Sequence, residues 1–232
     1  MAPGRPFAVL MDIEGTTTSI AFVKDRLFPF AEAALDGFLD ARADDPEVVA
    51  LLEEVRAAAP GQDPRTTLRG WMAADAKVTP LKTLQGMIWR QGYGDGRLKG
   101  HLWPDVARCL RAWKAAGVRL AVYSSGSVEA QRLLFGHSEA GDLTPLFSAF
   151  FDTRVGAKRE RASYAAIAVK LGLAPGGILF LSDVAEELDA ASEAGLVTCQ
   201  VVRAEDGAQP SGRHLEAPDF PAVAHLFELP GG

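Results

Sequence analysis

Residues 7–11, Phe7-Ala-Val-Leu-Met11, form an unbroken apolar run that stops at Asp12 and meets a glycine at Gly15. A strand with one face in water alternates apolar and polar residues. A continuous run instead predicts a strand covered on both faces, as in a parallel sheet packed between helices. Three further segments read the same way. Val118-Arg-Leu-Ala-Val-Tyr123 follows a helical stretch, 105–116, closed by Gly117. Gly177-Ile-Leu-Phe-Leu181 follows a helical pattern from Tyr164 to Leu171 closed by Gly172. Leu196-Val-Thr-Cys-Gln-Val-Val202 follows a helix from Glu186 to Ala194 closed by Gly195. Alternating strands and helices predict an α/β fold, a Rossmann-like parallel sheet core flanked by helices.

The stretch 20–99 breaks this rhythm. Helical periodicity recurs in Leu27–Leu39, Pro46–Ala59, Thr66–Ala76 and Thr79–Gln91, with no strand between them. A crossover between neighbouring strands needs far less chain. We therefore expect a helical cap inserted after the first strand, 20–99, with the core formed by 1–19 and 100–232. The glycine-rich stretch Gly92–Gly100 is the expected return hinge. The tail from Ala204, rich in proline, glycine and polar residues, is expected to wrap the surface.

Composition narrows the partners. With 24 basic and 30 acidic side chains the net charge is −6, which argues against nucleic acid, whose phosphates need a basic surface. The 48 % hydrophobic content is that of an ordinary globular chain, and the first apolar run is too short for a signal core or a membrane span. The expectation is a cytoplasmic protein that binds no membrane. Cys109 and Cys199 stand in no Cys-x-x-Cys pair and read as buried small hydrophobes. His101, His137, His214 and His225 show no metal spacing and read as structural.

Polar clusters gather at the carboxyl ends of the expected strands, where open α/β sheets bind ligands. The first strand ends in Asp12-Ile-Glu-Gly-Thr16, the second in Tyr123-Ser-Ser-Gly-Ser127, the third in Leu181-Ser-Asp183, and Lys158 precedes a helix in a polar segment. Asp12 and Asp183, converging from two strand ends, would make a hard oxygen site suited to magnesium. The serine turn, opening a helix, offers hydroxyls and free N–H groups to a phosphate, and Lys158 a countercharge. A carboxylate nucleophile, a metal and phosphate donors together are the parts of phosphoryl transfer through an aspartyl-phosphate. Taken singly, each cluster is ordinary turn or cap composition; their order along the chain carries the reading.

That order of motifs resembles the haloacid dehalogenase-like hydrolases over the whole chain. Most members carry aspartate two residues after the nucleophile, whereas this chain carries Glu14. Asp12-Ile-Glu-Gly-Thr-Thr-Thr18, Tyr123-Ser-Ser-Gly-Ser-Val-Glu-Ala-Gln131, Leu133-Leu-Phe-Gly-His137 and Leu84-Gln-Gly-Met-Ile-Trp89 with Gly92-Tyr93 are similar to one branch, the enolase-phosphatases or acireductone synthases. The resemblance implies conversion of 2,3-diketo-5-methylthiopentyl-1-phosphate to an acireductone and phosphate in methionine salvage, with one Mg2+ per chain and a monomeric state. It implies Asp12 as nucleophile and metal ligand. Glu14 would bind metal through its main chain and set its carboxylate near the leaving group. Asp183 would be the third metal ligand, and Ser124, Ser125 and Lys158 would hold substrate. Glu187 matches a further acidic position that could orient the ligands. The base for enolisation stays open between Glu14 and a lid residue such as Lys82. Trp89 and Tyr93 read as lid core, with a thioether contact as the rarer use. Two other readings compete: a phosphatase of the same superfamily acting on sugar phosphate or phosphoglycolate, and a non-enzymatic phosphoacceptor domain. Glu14 and the Trp89 segment count against the first, and the large insertion against the second.

Overall fold

A computed structural model describes residues 4–76 and 78–231. Residues 1–3 and 232 of the expected core and Lys77 of the insertion lie outside the described residues. In chain order the elements are β1 (Ala8–Met11), α1 (Ile20–Phe22), α2 (Phe28–Ala41), α3 (Pro46–Ala58), α4 (Pro64–Ala73), α5 (Thr79–Gly94), α6 (Val106–Ala115), β2 (Arg119–Tyr123), α7 (Val128–Gly136), β3 (Phe147–Phe151), α8 (Arg161–Leu171), β4 (Ile178–Ser182), α9 (Ala185–Glu193), β5 (Val197–Val201), β6 (Leu215–Ala217) and α10 (Phe220–Leu226). The chain divides into two compact units, Met1–Ile20 with Gly100–Gly232, and Ala21–Lys99.

The larger unit holds one parallel sheet of order β3-β2-β1-β4-β5-β6. The chain runs outward from β1 through β2 to β3, then returns to the other side of β1 with β4. The order therefore reverses at β1, and the crevice at such a reversal is where α/β sheets place their ligands. All four β1 residues are fully buried, as the unbroken apolar run requires. One apolar layer joins Leu10, Tyr123, Phe180, Tyr164 and Ile167 to Leu188 of α9. Met11 pairs with Val122 on one side and Leu181 on the other, so the three strands release their chains at one level of the sheet.

The smaller unit packs its own core from Leu35, Phe38, Val48, Leu51, Val55, Leu68, Leu84 and Ile88 among others. Its helices start where short-range chemistry says they should. Asp45 and Asp63 accept from the N–H groups of Glu47 and Thr66, and each is followed by a proline at the first helical position.

The structure departs from the sequence reading in three places. Gly92 and Gly94 belong to α5, which takes in the first three residues of the expected hinge. A Cβ on Gly92 would stand 2.5 Å from ring atoms of Phe30, so this glycine serves close packing. Phe147–Phe151 forms an edge strand that the sequence reading passed over. The tail is not a mere wrapping: β6 extends the sheet, and α10, capped by Asp219 on the N–H of Ala222, buries Phe220, Val223 and Ala224.

Candidate active site

The first candidate residue, Asp12, sits where β1 ends. The N–H of Asp12 still donates to Leu181 O at 2.9 Å, so its backbone continues the ladder while its side chain leaves the sheet. The chain then folds back on itself: the N–H groups of Thr16, Thr17 and Thr18 all donate to Ile13 O, and Gly15 N–H donates to Thr18 O. Thr16, Thr17 and Thr18 are fully buried inside this loop. Gly15 adopts φ +74°, and a Cβ there would lie 2.3 Å from Asp183 Oδ2. Only glycine satisfies both the left-handed backbone and that approach.

Asp12 Oδ1 accepts from Ile13 N–H at 2.7 Å and pairs with Lys158 Nζ at 2.7 Å. The same ammonium pairs with Glu187 Oε2 at 2.7 Å, and that oxygen also accepts from Ser182 Oγ at 3.0 Å. Lys158 is not left to thermal motion. The carbonyls of Gly156, Ala157 and Lys158 accept from the hydroxyls of Tyr123, Ser163 and Tyr164 at 2.9, 2.7 and 2.6 Å. Three hydroxyls on three successive carbonyls fix a loop that has no regular structure of its own.

Asp183 follows β4. Its N–H donates to Thr16 Oγ1 at 3.0 Å, the Thr16 hydroxyl donates to its Oδ1 at 3.3 Å, and Gln200 holds its carbonyl at 2.9 Å. Burial and then the charge of Asp12 push the Asp183 carboxyl up to about 7. Glu187 is raised for the same two reasons, against the pull of Lys158. Burial alone would lower Lys158, but the Asp12 and Glu187 carboxylates outweigh it and hold the ammonium above the ordinary lysine range. Three carboxylates thus share one ammonium, and the excess is negative.

Ser124 and Ser125 leave β2 beside Asp12. Ser124 is buried and its hydroxyl accepts from Gly126 N–H at 3.2 Å, whereas Ser125 is exposed. Ser127 caps α7, and Gln131 Nε2 ties the loop down by donating to Gly126 O and Phe151 O, both at 2.8 Å. The side chain of Glu14 is exposed, and its backbone bridges Thr18. The structure therefore draws Asp12, Lys158 and Glu187 into direct contact and sets Asp183 beside them. Glu14 and Ser125 stand on exposed loop positions after the carboxyl ends of the neighbouring strands β1 and β2. The sequence reading assigns Thr16 no chemical role of its own, yet its hydroxyl holds Asp183. It gave no weight to Tyr164 or Arg203, since hydroxyl-to-carbonyl pinning and tail contacts leave no local pattern.

Among the described residues no group of three His, Cys, Asp or Glu side chains forms a complete metal cage. Mg2+ does not need one: it keeps several waters and takes one or two carboxylates together with substrate oxygens. Asp12 and Asp183 fit that demand. Both are oxygen donors, and burial first and then the Asp12 charge raise the Asp183 carboxyl, a cost that a bound cation would offset. Hard oxygens without sulfur or imidazole select against the softer metals.

A family model for haloacid dehalogenase-like hydrolases matches residues 8–195, and the chain belongs to that family. The fold agrees. The UTR4 protein of Saccharomyces cerevisiae superposes with a TM-score of 0.81 at 31 % identity, over 92 % of this chain and 98 % of that one. CbbY of Rhodobacter sphaeroides, solved with phosphate, superposes at 0.65 with 20 % identity over 97 % of this chain and all of that one, a likeness of fold alone. Within the family the chain groups with the enolase-phosphatases E1. It is 60 % identical to the protein of that name from Granulibacter bethesdensis over 226 residues, covering 97 % of this chain and 98 % of the relative. It is 56 % identical to that from Acidiphilium cryptum, over 97 % of each.

Proposed function

We propose that this chain is a magnesium-dependent enolase-phosphatase that converts 2,3-diketo-5-methylthiopentyl-1-phosphate to an acireductone and phosphate, with Asp12 as its nucleophile. The observation that carries the reading is the buried Asp12–Lys158–Glu187 network with Asp183 facing it, at the point where the strand order reverses. Relatives named enolase-phosphatase E1, matched along nearly their whole length, supply the substrate class.

Asp12 Oδ1 is fixed by Ile13 N–H and Lys158, which orients the carboxylate before substrate arrives. A carboxylate oxygen attacks phosphorus, forming an O–P bond as the ester P–O bond breaks. Enolisation comes first: the carbon that bears the phosphate oxygen loses a proton, the neighbouring carbonyl oxygen gains one, and the departing oxygen then leaves as an enol. Glu14, exposed on the loop that follows, is the acid that gives that oxygen a proton and then the base that takes one from water. Attack of that water on phosphorus restores the Asp12 carboxylate. The hydroxyls of Ser124 and Ser125 and the N–H groups of their loop donate to the phosphate oxygens, and Lys158 stands between the anions as they meet. A bound Mg2+, held by Asp12, Asp183 and the Glu14 carbonyl, would offset the repulsion between carboxylate and phosphate. Glu187 keeps Lys158 in place.

Excess chelator should abolish phosphate release, and added magnesium should restore it. Full activity in chelator would contradict the metal reading. The substrate reading is tested by comparing release from the diketone phosphate, a sugar phosphate and phosphoglycolate at saturating magnesium. We expect the diketone phosphate to lead by roughly 100-fold or more in kcat/KM, about 2.7 kcal/mol. Equal or better turnover of either alternative would reassign the substrate.

Glu14→Ala separates the two half-reactions. Phosphate release should fall by about 100-fold, the usual worth of general acid–base help. Magnesium binding should persist, because the metal contact of Glu14 is assigned to its main-chain oxygen. Deuterium exchange at the carbon that loses its proton is the second readout. Exchange that survives while release collapses assigns Glu14 to the phosphatase step. Joint collapse assigns it to both, and no change in either would remove it from the mechanism.

A further inference from the structure

We propose that Arg203, in the segment after β5, is a positioning residue that holds the metal-binding loop in shape and so sets its affinity for magnesium. The inference rests on the reading that Asp12 and Asp183 hold that ion. Arg203 lies beyond residues 8–195, the span matched by the family model. It is only 4 % exposed, and a buried guanidinium must find acceptors for its five N–H donors. Nη1 and Nη2 donate to Asp105 Oδ1 and Oδ2, each at 3.0 Å, in a two-pronged pair. Nε and Nη2 also donate to the main-chain oxygen of Thr16, each at 3.3 Å. The rings of Trp103 and Phe220 stand 5.2 and 5.5 Å from the guanidinium carbon and fix its plane.

A core ion pair would be complete with Asp105 alone. The contact to Thr16 O is what reaches the site, and Thr16 passes it on. Its hydroxyl bonds both the N–H and the carboxylate of Asp183, so a shift of the Thr16 backbone moves Asp183. The tight approach of Gly15 to the same carboxylate leaves no slack between loop and ligand. The ties continue along the loop exit. Thr17 O accepts from Trp103 N–H at 3.1 Å, and Ile20 N–H donates to Asp206 Oδ2 at 2.9 Å. Two of the three anchored positions, Thr16 and Ile20, are thus held by the short segment Arg203–Asp206. Partners that orient metal ligands from behind are worth as much as some ligands themselves.

Two variants and one measurement on the unaltered chain test this. Arg203→Lys keeps the charge opposite Asp105 but has no fork to serve Thr16 as well. The double variant Arg203→Gln with Asp105→Asn replaces the buried charges by a neutral pair and guards against a folding failure. In each, the magnesium dissociation constant, measured by calorimetry without substrate, should rise roughly tenfold, and the magnesium needed for half-maximal activity should rise with it. KM for the phosphate ester at saturating magnesium should stay within about twofold. Magnesium affinity unchanged in a folded variant, with only thermal stability reduced, would overturn the proposal. Coupling between two sites is reciprocal, so in the unaltered protein magnesium should slow amide exchange across residues 203–208 by about threefold or more. Unchanged exchange there overturns the proposal whether or not the variants fold. Failure of the unaltered protein to bind magnesium at all would instead remove the two-carboxylate reading, and the brace with it.

Discussion

Asp12→Asn should lower phosphate release on the order of 10⁴-fold or more, about 5.4 kcal/mol of lost transition-state stabilisation. The amide keeps the shape of the carboxylate and can still accept from Ile13 N–H, but it is not a nucleophile. The fold should not suffer. Asp12 is one of three carboxylates around one ammonium, and its charge adds to the upward shifts of both Asp183 and Glu187. Removing it relieves like-charge repulsion, while Lys158 keeps Glu187 as its partner. The variant should therefore unfold at or above the wild-type temperature while its turnover vanishes. Near wild-type turnover would make Asp12 a structural residue. A large loss of stability would mean that the charge balance drawn here is wrong.

Lys158→Ala acts in the opposite sense on stability. The ammonium is buried to within a tenth of its surface and touches two carboxylates at 2.7 Å. Removing one partner from such a cluster leaves uncompensated buried charge and costs about 3–5 kcal/mol. Here the penalty has a diagnostic dependence. Magnesium held by Asp12 and Asp183, as proposed, would supply part of the missing positive charge, so the loss measured by urea unfolding should be larger in chelator than in magnesium. Phosphate release should fall about 100-fold even at saturating metal, because a positioned donor between two anions is gone. A variant with wild-type stability in chelator would show that Lys158 does not carry the countercharge.

The parts of this arrangement that were legible in the sequence are those with local causes. The apolar run that ends at Met11 can be read without knowing its neighbours, since burial on both faces, which holds for Ala8–Met11 and not for the exposed Phe7, forbids polar residues. Helix ends marked by Gly117, Gly172 and Gly195 are equally local. Asp12 and Asp183 could be singled out because the strands that carry them were visible, and strand ends are where such folds bind ligands, whereas Lys158 was legible only as a lysine in a polar segment before a helix. What escaped depended on distant contacts. Phe147–Phe151 is an edge strand with a mixed burial pattern, so it lacks the apolar signature of the inner strands. β6 and α10 are short, and they gain their order from the sheet edge and from Trp113, which stacks on Phe220 at 5.2 Å. Gly92 looked like a hinge because glycine loosens a chain. The close approach of Phe30 that gives it a packing role is tertiary. Arg203 falls between the expected strand that ends at Val202 and the tail that begins at Ala204, and its partners Thr16 and Asp105 lie 187 and 98 residues away.

The most direct test follows two signals in one cuvette. The unaltered protein is given 2,3-diketo-5-methylthiopentyl-1-phosphate with magnesium, and inorganic phosphate and the absorbance of the conjugated enone product are recorded together. The account predicts that the product absorbance and phosphate reach the same molar yield, that both stop in chelator, and that Asp12→Asn yields no phosphate. Phosphate release without the enone signal, or turnover that survives in chelator, would contradict it.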